Sequence, residues 1–185
     1  MIVNTGIAAA IASQLGGMKG NKDAIAETIE NNVRSKIIKE SLTDPAYYEK
    51  MSALLDEIIR LRKEKAIEYE EYLKRIAELA TKVQTGKADD APAQLDTLGR
   101  RALYNNLKDF VPTRTVAQPR ATYGNTDPTL ALVLKVDEAI KLRRPDSWRG
   151  VTAREQMVKQ ILYEVLMDID AVNRLYPVIF AQKEY

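Results

Sequence analysis

Apolar residues recur at helical spacing along most of this chain. A first run opens at Asn21 or Lys22 and ends near Leu42. Its apolar positions share one helical face: Ile25, Ile29, Val33, Ile37 and Ile38. Asp44 and Pro45 then supply an N-cap and a first-turn proline, which predicts the start of a second helix. No segment alternates convincingly between apolar and polar residues, so the sequence predicts an all-α helical bundle with few or no strands.

The sequence predicts one long helix over residues 45–84, because no glycine or further proline follows Pro45 before Gln84. At about 1.5 Å per residue such a helix is roughly 60 Å long. Its second half carries a heptad-like apolar stripe: Tyr69, Tyr72, Ile76, Leu79 and Val83. The middle, RLRKEKAIEYEE, is polar on most sides, so the helix bends there or bridges between contacts. The alternative is an antiparallel hairpin of two shorter helices.

The second half of the chain begins with a linker and a loop. Residues 86–99 (GKADDAPAQLDTLG) have linker composition, and RRALYNNLKDF then forms a brief helix. Residues 111–128 hold three prolines and one glycine, which predicts a Pro-rich loop. Asp127 and Pro128 start a further helix, which ends before Pro145.

These elements predict one compact helical domain. Its parts are a short helix or the cut edge of a larger protein at 1–20, helices over 21–86, linker, short helix and Pro-rich loop over 87–128, and C-terminal helices over 129–185. The apolar start has no cation before Lys19, so it lacks the charged leader of a secretory signal. No uninterrupted apolar run is long enough to span a membrane, and we expect no membrane partner.

Composition excludes several chemistries. The 185 residues contain no cysteine and no histidine, which removes disulfides, thiolate nucleophiles, Ser-His-Asp triads and zinc sites with these ligands. A net charge of +2 gives no global field that would attract nucleic acid or a membrane. Gly86-Lys87 is followed by Ala88, so no phosphate-binding loop motif is present. No lysine has an acidic residue two positions before it, as divalent-metal nucleases commonly have.

The remaining polar and aromatic candidates are interpreted as structural. Asp89-Asp90 lies in the linker and Glu70-Glu71 on a solvated helix face, so neither pair is expected to work as an acid and base. Four tyrosines at helical spacing could form a stacking platform, but core edges are the favoured interpretation. They are Tyr47, Tyr48, Tyr69 and Tyr72. We therefore expect no catalytic residue, metal or cofactor in these 185 residues.

The stretch RRPDSWRGVTAREQMVKQILYEVL (143–166) holds the single tryptophan among arginines. Residues 152–155 (TARE) predict a capping box, in which the hydroxyl of Thr152 accepts from the amide of Glu155 and the carboxylate of Glu155 accepts from the amide of Thr152. Between residues 141 and 159 six basic residues face two acidic ones, a local surplus of four positive charges. The candidate contact residues are Arg143, Arg144, Trp148, Arg149, Arg154 and Lys159.

Three interpretations of these candidates remain open. In the first, Trp148 covers the end of the core while the arginines form ion pairs and helix-end hydrogen bonds. In the second, the group docks a partner protein. In the third, the cations contact a phosphate backbone and the indole stacks on a base. The packing interpretation is favoured, because single tryptophans in helical domains are mostly packing residues.

Several blocks of the sequence resemble a known family. They are AIAETIENNVRSKIIKE (24–40), DPAYYEKMSALLDEIIRLRKEKAIEYEEYLKRIAELA (44–80), LGRRALYNNL (98–107), LALVLKVDEAI (130–140), DSWRGVTAREQMVKQILYEVL (146–166) and AQKEY (181–185). Over roughly residues 20–185 the chain resembles the C-terminal helical region of the R subunit of type I restriction-modification enzymes. Residues 108–128 look longer than that family has at this place.

The resemblance implies a fragment of a bacterial or archaeal cytoplasmic protein. The full R subunit is an ATP-dependent DNA translocase and a type I site-specific deoxyribonuclease, which uses ATP and Mg²⁺. None of its nuclease or motor motifs is present here, so the resemblance implies a non-catalytic domain that anchors the R subunit to the methyltransferase (M) and specificity (S) subunits and meets DNA only through the complex. The alternatives are a helical module that contacts the DNA backbone, or a free-standing coiled-coil adaptor.

Overall fold

The computed structural model describes residues 22–88, 91–108 and 127–185. Within these ranges the chain forms seven helices and no strand, which confirms the predicted all-α fold. The helices are α1 (Lys22–Glu40), α2 (Pro45–Lys63), α3 (Tyr69–Thr85), α4 (Leu98–Leu107), α5 (Pro128–Arg143), α6 (Thr152–Leu166) and α7 (Ile169–Ala181). The predicted segment 1–20 and most of the predicted Pro-rich loop lie outside the described residues.

The described residues group into two compact units, whereas the sequence predicted one compact domain. Unit 1 contains α1, α2 from Tyr48 onwards, and α3. Of the described residues, unit 2 contains Leu42–Tyr47, 91–108 and 127–185.

The long helix predicted over residues 45–84 is wrong, because the chain breaks between α2 and α3. Lys65 adopts a left-handed conformation with φ of 55°. Its amide donates to the carbonyl of Arg62 (3.0 Å), and the amide of Ala66 donates to the carbonyl of Leu61 (2.9 Å). These two bonds form a Schellman motif, which satisfies the last carbonyls of α2 and ends the helix. The alternative of two shorter helices is therefore the correct one.

The apolar stripe of α3 packs inside unit 1. Tyr72, Ile76, Leu79 and Val83 are all buried, and α3 packs against α1. From α1 the buried apolar residues are Ala26, Ile29, Val33 and Ile37. The free-standing coiled-coil interpretation needed this stripe as the seam of a homodimer. Because the stripe is already covered by the same chain, it does not provide that seam.

Buried polar groups join the three helices of unit 1. Glu30 of α1 accepts from Arg62 of α2 (2.8 Å) and from the hydroxyl of Tyr72 of α3 (3.2 Å). The side chains of Glu30 and Arg62 are only 7% and 10% exposed. The hydroxyl of Tyr72 also reaches the carbonyl of Ala26 (3.2 Å), and burial is the main cause of its raised pKa. The pair is therefore held by hydrogen bonds on both sides, as a buried ion pair requires.

Unit 2 packs α4, α5, α6 and α7 around one apolar core. The fully enclosed members include Leu103, Val133, Ile140, Leu162 and Leu175. Two of its segments begin with an aspartate N-cap, as the sequence predicted. The carboxylate of Asp127 accepts from the amide of Thr129 (2.9 Å), and that of Asp44 accepts from the amide of Tyr47 (3.2 Å).

Candidate functional site

Trp148 lies inside unit 2. It belongs to the turn between α5 and α6, where Ser147 and Gly150 have positive φ angles of 49° and 77°. Only 1% of its surface is exposed, and its indole Nε1 donates to the main-chain oxygen of Tyr185 at 2.8 Å. The indole has its hydrogen-bond partner and cannot stack on an external base in this position. Of the three interpretations, its burial agrees with packing at the end of the core.

Arg149 joins this turn to the end of α7. Its guanidinium donates to the main-chain oxygens of Phe180 (2.8 Å), Ile179 (3.4 Å) and Gln182. It also lies 4.5 Å from the ring centre of Trp148, at cation–π distance. A cation at a helix C-terminus satisfies carbonyls that have no partner within the helix. Arg149 therefore has a structural role within unit 2.

The predicted capping box does not form as expected. Val151 occupies the N-cap position of α6, and no side chain caps the helix there. The carboxylate of Glu155 accepts instead from the amide of Gly150 (2.8 Å). Since Thr152 is already the first helical residue, its hydroxyl is one position too late to cap the helix. The acidic half of the motif still stabilises the turn, through a different amide.

Two of the other predicted contact residues are engaged within unit 2. Arg154 donates to the main-chain oxygens of Asp146 (2.9 Å) and Ser147 (3.3 Å), which fixes the turn before α6. Arg143 forms a salt bridge with Glu164 (2.6 Å) across α5 and α6. Both members of this pair are about half exposed, so its contribution to stability is small.

Lys159 and Arg144 complete the predicted set. The ammonium of Lys159 lies 4.5 Å from the ring centre of Tyr176. The Nε–H of Arg144 is buried and has no hydrogen-bond acceptor. Burial, and after it the nearby charge of Arg144, lower the pKa of Arg149. We call the following four cations the basic corner: Arg144, Arg149, Arg154 and Lys159.

The basic corner carries charge that the described residues of unit 2 do not neutralise by contact. Within the described residues none of its four cations forms a salt bridge. Two apolar side chains are exposed beside it, Val151 at 42% and Phe180 at 40%. The ring of Phe180 lies 5.8 Å from the guanidinium of Arg149. Such a surface can hold an anionic group next to an apolar one.

The last four residues, 182–185, accept hydrogen bonds from Trp148 and Arg149 and so hold the turn of the basic corner in place. The sequence pattern did not predict this role. After α7 the chain is extended at Gln182, whose side-chain amide donates to the carbonyl of Thr43 (2.6 Å). Glu184 accepts from the amide of Gly99 in α4. A Cβ atom at residue 99 would collide with Glu184 and Tyr185, so this close approach requires glycine. No periodicity marks such a segment, and only its distant contacts identify it.

The hydroxyl of Tyr185 is hydrogen-bonded to a buried carboxylate. Its hydroxyl donates to Asp137 (2.7 Å), which also accepts from Arg100 (2.8 Å) and Lys141 (2.7 Å). Asp137 is 2% exposed. Burial alone raises the pKa of Asp137, but the hydrogen bonds from Lys141, Tyr185 and Arg100 outweigh it and hold the pKa below its usual range.

Asp137 should make unit 2 sensitive to acid. A depressed folded-state pKa stabilises the fold above the unfolded pKa of about 3.9, and this stabilisation is lost as pH falls through the folded pKa. We expect the urea midpoint of unit 2 to fall below about pH 4, and Asp137→Asn to have a flatter acid limb. Asp127 also has a lowered pKa and makes the stability of the wild type fall further in acid. The test is therefore the difference between the urea midpoints of wild type and Asp137→Asn as the pH is lowered. Parallel curves would contradict the assignment.

The four tyrosines are placed as core edges, as favoured. Tyr47, Tyr48 and Tyr72 are at most 6% exposed, and the hydroxyl of Tyr48 reaches the carbonyl of Val83 (3.4 Å). Tyr69 stacks on Tyr72 with ring centres 5.8 Å apart. These rings are not presented as one open stacking platform.

The carboxylate candidates bring no metal-binding group together in the part of the chain that the structure describes. Glu71 forms a surface salt bridge with Arg75 (2.7 Å), and Glu70 is exposed on the same helix. Asp89 and Asp90 lie outside the described residues. None of the seven described helices is both long and apolar enough to cross a membrane.

Comparison with protein-family models, with curated proteins and with solved structures gives no match for this chain.

Proposed function

We propose that this chain is the C-terminal helical part of a type I restriction enzyme R subunit and that it anchors the motor and nuclease to the M and S subunits. The observation that carries the proposal is the basic corner, where unneutralised cations adjoin exposed Val151 and Phe180. Protein interfaces are enriched in arginine and aromatic residues. The sequence blocks that resemble the R subunit supply the identity of the partner.

The all-α fold supports this role. The turn of the WRG…ARE block is packed into the end of unit 2, and Arg149 and Arg154 fix it through main-chain oxygens. The corner is thus a preorganised surface, which reduces the ordering cost of association. ATP and Mg²⁺ belong in this proposal to the rest of the R subunit.

Binding to the DNA backbone is the second candidate, because the same four cations could contact phosphates. The burial of Trp148 disfavours it, since the proposed base-stacking group is enclosed. Asp146 and Glu155 in the same region would also repel a polyanion. DNA binding should show a steep dependence on salt, which distinguishes it from an anchor with an apolar component.

Retention on the partner subunits tests the proposed function. We expect the immobilised M and S subunits of a type I complex to retain the full 185-residue chain with a Kd of about micromolar or tighter, as standard-sized interfaces do. A short DNA duplex without those subunits should retain it weakly and lose it as salt rises. No retention on the M and S subunits, together with tight duplex binding, would replace the anchor by the DNA module.

A further inference from the structure

The geometry points to a defined chemistry for the partner of the basic corner: a protein segment that presents an aspartate or glutamate carboxylate beside an apolar side chain. This inference rests on the proposed function and deepens it. Its central contact is a carboxylate on the terminal nitrogens of Arg144, with Lys159 adding positive charge to the same corner and the apolar neighbour on exposed Val151 or Phe180.

Arg144 is the least committed cation of the corner. Arg149 donates to three main-chain oxygens and Arg154 to two, so these guanidiniums are already used to hold the turn. No hydrogen bond joins the guanidinium of Arg144 to another described side chain, and its Nε–H is buried without an acceptor. Only its terminal nitrogens can therefore meet an external group. A planar guanidinium that is not internally bound can grip a carboxylate through two parallel hydrogen bonds.

Repulsion inside the corner favours an external anion. Burial is the main cause of the lowered pKa of Arg149, and the nearby positive charge of Arg144 lowers it further. The described residues of unit 2 supply Asp137 and Glu184 to Lys141, and Glu164 to Arg143, but none of their carboxylates contacts Arg144 or Lys159. A partner carboxylate would provide the missing counter-charge.

The surroundings select a protein over a nucleic acid. Val151 and Phe180 leave 42% and 40% of their surfaces exposed next to the cations, and a phosphate backbone would leave these apolar surfaces poorly covered. The acidic side chains of Asp146 and Glu155 lie in the same stretch of chain and interrupt the positive surface. A protein segment can place one carboxylate on Arg144 and avoid both acids, whereas the regular charges of a duplex cannot.

An NMR titration of the full chain tests the inference. The probes are a short capped peptide with one glutamate flanked by leucines, the same peptide with glutamine in place of the glutamate, and a short DNA duplex. We expect the glutamate peptide to shift the Nε–H signal of Arg144 and the indole signal of Trp148, which lies under Arg149. The glutamine peptide should bind more weakly by about twofold to fivefold, as the loss of one surface charge pair implies.

Charge reversal at single positions supplies the matched controls. Arg144→Glu and Lys159→Glu should each weaken glutamate-peptide binding about fivefold or more. Lys135→Glu on the exposed surface of α5 changes the net charge equally and should leave binding unchanged. Circular dichroism melts must show that all three variants fold.

The results separate this inference from the proposed function. If Arg144→Glu behaves like Lys135→Glu, or if the duplex binds more tightly than the peptide at Arg144, the carboxylate assignment is overturned. Should the M and S subunits still retain the chain, the anchor role stands without it. If the peptide binds at Arg144 but the subunits do not retain the chain, the corner takes an acidic segment of a different partner and the proposed function fails.

Discussion

Replacing Trp148 by alanine should destabilise unit 2 by about 3–5 kcal/mol, the usual cost of removing a large buried aromatic side chain. Trp148 is 1% exposed and packs edge-on against Phe180, with ring centres 5.6 Å apart. The substitution also removes the hydrogen bond to Tyr185 and the ring beneath Arg149. Since small domains are stable by only about 5–15 kcal/mol, this loss is a large fraction of the total.

Trp148→Phe is the matched control for this prediction. Phenylalanine keeps an aromatic ring in the core but cannot donate to the main-chain oxygen of Tyr185, so we expect a loss of about 2 kcal/mol. Because both variants lack the single tryptophan, urea unfolding should be followed by far-UV circular dichroism. Wild-type stability in Trp148→Ala would show that the indole is not a core residue.

The local start signals could be predicted from the sequence, because each acts within one helical turn. Asp44-Pro45 and Asp127-Pro128 place an acceptor at the N-cap and a fixed φ at the first helical position, and both begin helices as predicted. The apolar face of α1 was also largely correct. Ile38 is an exception at 67% exposure, because it lies off the line of residues that packs on α3.

The break between α2 and α3 could not be placed from the sequence, because the polar middle of the predicted helix allows a bend but no glycine or proline marks where the helix ends. The left-handed residue that follows the C-cap in a Schellman motif is normally glycine. Here it is Lys65, whose left-handed conformation costs about 1 kcal/mol. Packing repays that cost, because the break lets Tyr72 and the rest of the α3 stripe bury themselves within unit 1. A continuous helix would leave much of this stripe exposed.

Composition could identify the cations of the basic corner but not their roles. Arg149 and Phe180, like Trp148 and Tyr185, are more than thirty positions apart, and their contacts arise only when α7 returns to the turn. Because α7 returns to this turn, Arg149 donates to its carbonyls, whereas the Nε–H of Arg144 has no acceptor. Neighbouring arginines in one block of sequence thus have different roles, and only the folded unit assigns them.

In unit 1, Arg62→Met should cost about 3 kcal/mol, because it leaves the carboxylate of Glu30 buried without its counter-charge. Glu30 is 5% exposed, and its other neighbour is the hydroxyl of Tyr72. Glu30→Ala should cost less, because Arg62 keeps its ion pair with Asp23 (2.9 Å) when the carboxylate of Glu30 is removed. Urea unfolding gives the free energies, and amide hydrogen exchange in α1 and α3 locates the effect in unit 1.

The double replacement Glu30→Leu with Arg62→Met decides whether the ion pair stabilises the fold or only becomes costly when broken. Two apolar side chains of similar length remove both buried charges together, and such exchanges are often neutral or stabilising. The hydroxyl of Tyr72 keeps the carbonyl of Ala26 as an acceptor at 3.2 Å, so no donor is left unsatisfied. We therefore expect the double variant to lie within about 1 kcal/mol of wild type. A double variant as unstable as the sum of the single variants would mean that the pair itself supplies net stability, because its removal as a unit would then be as damaging as its disruption.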